Sequence, residues 1–132
     1  MIGIDTNVLL RLILVDDEEQ FSKAKAHLSN HCTRDNPGYI SVIVLSEYVW
    51  TLDRTFRFSR SDQGKAIQSL LDVENLVVED HDLVRSALNE FKSSNVEFAD
   101  CLIGRRNERA RCLHTVTFDQ KASKLDSFEL LS

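Results

Sequence analysis

Met1-Ile2-Gly3-Ile4-Asp5-Thr6-Asn7-Val8-Leu9-Leu10-Arg11 opens the chain with a short apolar run, one acid and a second apolar run broken by Arg11. The first four residues read as a strand. Residues 7–15 read as a helix with Asp5 or Thr6 near its N-cap. Working outward, short strands keep alternating with helical segments. Asp16-Asp17-Glu18-Glu19 opens a helix that runs to about His31, with its acids where the helix dipole favours them. Asn36-Pro37-Gly38 is a turn, Tyr39-Ile40 a short strand, and Ser41 caps a helix over 42–55. Helices follow over 61–72, 82–92 and 98–109, and a short one over 120–124. Strands are expected at Leu76-Val77-Val78, Cys112–Thr117 and Phe128–Leu131. The alternation gives an α/β fold, with a mostly parallel sheet covered by helices. In such sheets ligands gather outside the carboxyl ends of the strands.

The chain has 132 residues, room for one domain over 1–132, and 42% hydrophobic against 28% charged residues excludes a disordered tail. A core of this size needs no disulfide or structural zinc. Val8–Val15 is too short for a membrane span and lacks the basic lead of a signal peptide, so a cytoplasmic protein is expected. Three cysteines with no Cys-x-x-Cys pair fit reduced thiols, and Cys101 and Cys112 read as buried. His27 and His31 share a helix face, but only Asp35 could join them, so they read as a solvated helix end rather than a zinc site. A net charge of -5 argues against holding nucleic acid by bulk electrostatics alone.

The acids carry the chemistry. Asp5 ends the first strand, and Asp119 follows the strand that ends at Thr117, so the sheet rule puts both at one edge. Alone, each is an ordinary N-cap. Glu47 lies in a helix beside Ile43, Val44, Trp50 and Thr51. It is either a carboxylate on an apolar stripe, which needs a partner or a cation, or a solvent-facing residue. Glu97 and Asp100 share one side of a helix start, where acids are also common. Carboxylates that converge raise one another's pKa unless a cation offsets them. A hard divalent ion takes oxygen ligands, often one or two carboxylates and several waters. Such a site lowers the pKa of bound water and clamps phosphate. No Gly-rich nucleotide loop or Gly-x-Ser-x-Gly elbow competes with metal-assisted phosphoryl chemistry.

These residues bear a family likeness. Ile4-Asp5-Thr6-Asn7-Val8-Leu9-Leu10-Arg11 resembles the opening of PIN-domain ribonucleases, especially VapC-type toxins of bacterial toxin–antitoxin pairs. Ser46-Glu47-Tyr48-Val49-Trp50 resembles the second motif of that family, Glu97-Phe98-Ala99-Asp100-Cys101-Leu102-Ile103 the third, and Thr117-Phe118-Asp119 with Lys121 the fourth. Cys101 stands where alanine is commoner. The resemblance implies a PIN-like three-layer sandwich with a five-stranded, mostly parallel sheet in the order 3-2-1-4-5. It implies a catalytic pocket of Asp5, Glu47, Asp100 and Asp119 that holds Mg²⁺ or Mn²⁺ and hydrolyses RNA. Asp5 and Asp100 would ligate the metal directly, and Glu47, Glu97 and Asp119 directly or through water. Asn7 and Thr117 would support the pocket. It also implies a homodimer and a cognate VapB-like antitoxin that blocks the pocket.

RNA approaching such a pocket needs cations nearby. Arg54, Arg57 and Arg60 are spaced by three, and Arg105, Arg106, Arg109 and Arg111 follow Asp100. They read either as phosphate contacts or as a solvated face paired with local acids such as Glu108. Tyr48 and Trp50 could stack bases, although Trp50 reads first as core. Two rivals belong to other classes. A non-catalytic PIN-fold interaction module would have lost some of the four acids. A Mg²⁺-dependent, receiver-like phosphoacceptor needs an acidic pair after the first strand, where Asp5-Thr6-Asn7 supplies one. A phosphatase with an Asp-x-Asp nucleophile is disfavoured by Asn7.

Overall fold

A computed structural model describes residues 1–132. The chain gathers into two compact units, Met1–His81 and Asp82–Ser132.

The first unit runs β1 (Ile2–Gly3), α1 (Thr6–Leu14), α2 (Glu18–His31), β2 (Gly38–Ile40), α3 (Val42–Arg54), α4 (Arg60–Asp72) and β3 (Leu76–Val78). The strands are parallel in the order β1-β2-β3, with Ile2 opposite Gly38 and Ile40 opposite Val78. Each parallel pair is joined by a helical crossover, as parallel strands require. Gly38 sits in the middle strand because a Cβ there would come within 2.7 Å of Leu76 Cδ2. The helix starts follow side-chain chemistry. Asp17 accepts from the Gln20 amide, Ser41 from Val44 and Ser59 from Asp62. A further cap crosses the sheet edge: the Val42 amide donates to Glu79 Oε1 at 2.8 Å, just beyond β3. Leu9, Ile40, Leu45, Leu52 and Ile67 form the fully buried centre. His27 and His31 lie ring to ring on α2, 4.7 Å apart and exposed.

In the second unit α5 (His81–Lys92) and α6 (Phe98–Arg109) precede β4 (Thr115–Thr117), a 3₁₀ turn (Ala122–Lys124) and β5 (Phe128–Leu130). β4 and β5 are parallel, with Thr115 opposite Phe128. Leu83, Val84, Ala87, Leu88 and Phe91 make the buried stripe of α5. Phe91 meets Phe98 of α6 edge to face at 6.0 Å. Gly104 lets the β5 end pass close to α6, since a Cβ would lie 2.8 Å from both Ser127 Oγ and the Phe128 ring.

The α/β class and the element order agree with the sequence reading. Both parts of the expected strand order, 3-2-1 and 4-5, are present, each in its own sheet. Two expectations change. β4 is shorter than 112–117, because Arg111 takes a left-handed φ of 68° and the Cys112 amide donates to the Asn107 carbonyl, which extends the turn after α6. Cys112 is therefore exposed, while Cys32 and Cys101 are buried. No helix is long and apolar enough to cross a membrane.

Candidate active site

In the second unit three of the predicted acids gather at the start of α6 and the end of β4. Glu97 is the N-cap residue of α6, yet its side chain makes no cap hydrogen bond, and Asp100 follows in the first turn. Asp100 is half-buried. Burial, then the negative charges of Asp119 and Glu97, raise its pKa above the ordinary carboxylate value. Asp119 is held in place. Its Oδ1 accepts from the Lys121 amide at 2.8 Å and the Ala122 amide at 3.1 Å, and its own amide donates to Thr117 Oγ1 at 3.0 Å. Thr117 thus fixes the backbone that carries Asp119.

In the first unit Asp5 takes the N-cap position of α1 with extended backbone, but no side-chain cap bond forms. Asp17, Ser41 and Ser59 do cap their helices, so the ordinary explanation for Asp5 accounts for its place and not for its carboxylate. Glu47 lies on the outer face of α3. Leu45, Tyr48, Val49 and Leu52 are buried, whereas Ile43, Glu47, Trp50 and Arg54 are exposed. The two readings of Glu47 resolve to solvent. Between α1 and this face runs a groove of about 840 Å³, whose walls include Thr6, Asn7, Ile43, Ser46, Glu47 and Trp50.

Within neither unit do three His, Cys, Asp or Glu side chains close into a ready metal cage. Mg²⁺ needs none, since it keeps several waters and uses one or two carboxylates. The donor chemistry in the second unit fits such an ion: hard oxygens, one of them half-buried among other negative charges.

The arginines divide. Arg105 pairs with Glu90 at 3.0 Å and with Glu108 at 3.5 Å, so a phosphate would have to compete for it. Arg54 reaches Asp53 at 3.5 Å and is half-exposed. Arg57, Arg60, Arg106, Arg109 and Arg111 are exposed. Tyr48 is buried, which pushes its hydroxyl pKa up to about 12 and removes it from base stacking. Trp50, expected in the core, is 55% exposed. The helical register explains this: Trp50 lies three residues after Glu47 and seven after Ile43, on the face opposite Leu45 and Leu52. Thr6, which the sequence offered only as a possible N-cap, is the first residue of α1, and its Oγ1 is buried without a hydrogen-bond partner.

The sequence model of the PIN domain family matches residues 2–127. A curated VapC ribonuclease from Aquifex aeolicus (strain VF5) is 23% identical over 122 residues, covering 92% of this chain and 90% of the relative. A match that spans nearly the whole chain and takes in all four acidic motifs leads to one conclusion: the chain belongs to the PIN-domain family.

Proposed function

We propose that this protein is a Mg²⁺- or Mn²⁺-dependent endoribonuclease, the toxin of a type II toxin–antitoxin pair. The carrying observation is the juxtaposition of Glu97, Asp100 and Asp119, in which a half-buried carboxylate lies within the field of two other acids. Family membership and the likeness to a VapC ribonuclease support the reading. It carries with it the family's strand order 3-2-1-4-5, a homodimer and a VapB-like antitoxin.

Asp5 and Asp100 would hold the metal directly, and Glu47, Glu97 and Asp119 directly or through water. When bound, the ion lowers the pKa of a water and polarises the scissile phosphate. The chain supplies the rest. Thr117 and the Lys121 and Ala122 amides keep the Asp119 carboxylate in one orientation. Asn7 and Glu47 line the groove beside α1, where the RNA strand would lie. Arg54, Arg57, Arg105, Arg106 and Arg109 are the candidate phosphate contacts.

Purified protein should cut single-stranded RNA with added Mg²⁺ or Mn²⁺ and stop in EDTA. Asp5→Asn and Asp100→Asn should each lower the rate at least about 100-fold, the scale of losing a major electrostatic contribution to the transition state. Cleavage that survives EDTA, or survives both substitutions, sinks the mechanism.

A further inference from the structure

The exposed face of α3 carries a large aromatic at a position where folding gains little from it. Trp50 is 55% exposed and Ile43 is 78% exposed, with Glu47 between them on the same face. An indole left half in water forgoes much of the stabilisation that burial would give. The groove beside α1 puts the Trp50 π-surface on one wall, with the exposed Asn7 amide and Ser46 nearby. A flat aromatic ligand with a polar rim matches that combination, and a nucleobase has both features.

We propose that Trp50 is the platform on which a base of the single-stranded RNA substrate stacks, with the Asn7 side chain meeting the polar edge of that base. The proposal rests on the ribonuclease reading and adds a substrate-positioning residue to it. The competing occupant is a second copy of the chain seated on the same face. A two-fold contact through α3 would set Glu47, the middle of the exposed stripe, close to its own counterpart. That would desolvate two like charges together. A stacked base leaves Glu47 free to face a cation.

Trp50 is the only tryptophan in the chain, so indole fluorescence reports this position alone. The probe is a ten-nucleotide single-stranded RNA, titrated with Mg²⁺ into Asp100→Asn protein, whose change lies outside the unit that holds Trp50. Saturable quenching of the emission is expected. In the otherwise unaltered enzyme, Trp50→Leu should raise KM for RNA roughly 5- to 150-fold, the range of base–aromatic stacking, with a much smaller change in kcat. Trp50→Phe should recover most of the loss, which a mere packing role for an apolar side chain would not require.

Absence of quenching, together with an unchanged KM in Trp50→Leu while the enzyme still cleaves, overturns this inference and leaves the ribonuclease reading standing. Quenching without cleavage by the unaltered protein keeps the stacking assignment and removes the ribonuclease reading. Emission that shifts with protein concentration in the absence of RNA, with a dimer lost in Trp50→Leu by light scattering, assigns the face to a second copy and overturns the inference.

Discussion

Asp100 illustrates how a single residue trades stability for chemistry. Its pKa is raised in the folded state by burial and by Asp119 and Glu97. A group that binds its proton more tightly when folded contributes stability fully below its unfolded pKa, and loses that contribution as pH rises through the raised value. At neutral pH the ionised carboxylate is therefore a cost to the metal-free fold. Asp100→Asn should melt higher than the parent protein in EDTA at pH 7. The gap should close as pH falls below the ordinary carboxylate range, and differential scanning calorimetry across pH measures it. Activity should run the other way, falling as acid protonates Asp100, the proposed metal ligand. The positions of Asp5 and Asp119 were legible in the sequence because each follows a strand, and that of Asp100 because it opens α6. The free carboxylate of Asp5 was not legible, since an N-cap that bonds and one that does not have the same sequence.

Elements were read more securely than faces. Helix and strand positions follow from periodicity and from caps such as Ser41, and these agree with the structure. The face of α3 was ambiguous because Val42, Ile43, Val44 and Leu45 are all apolar, so hydrophobicity alone could not orient Glu47 or Trp50. Cys112 was misplaced for a related reason: it continues an apolar run whose first residues belong to a turn closed by Arg111. The packing of α6 gives a prediction at this scale. Gly104→Ala would gain up to about 1 kcal/mol in helix propensity. It would also force a methyl against Ser127 and the rigid Phe128 ring at 2.8 Å, and overpacking of that kind costs about 1–3 kcal/mol. Net destabilisation of about 1 kcal/mol is expected from urea unfolding, and a stabilised variant would show that β5 yields easily.

At the scale of the whole molecule, the net charge of -5 now has a specific content. It excludes a protein that coats nucleic acid, yet Asp5, Glu47, Glu97, Asp100 and Asp119 account for five of its 21 acids and are the proposed active centre. In the proposed mechanism a divalent cation would offset part of that charge and so couple RNA approach to metal loading. Cleavage should therefore fall with added monovalent salt, because salt screens the proposed arginine contacts to phosphate. The central claim, that these acids form a divalent-cation site, is tested most directly by the thermal shift with Mn²⁺. At ten times its Kd the ion stabilises the protein that binds it by about 1.4 kcal/mol, which is a rise of roughly 3–6 °C in Tm for a chain of this size. The account predicts that rise in the parent protein and none in Asp100→Asn. An equal rise in both, or no rise in the parent protein at millimolar Mn²⁺, would contradict it.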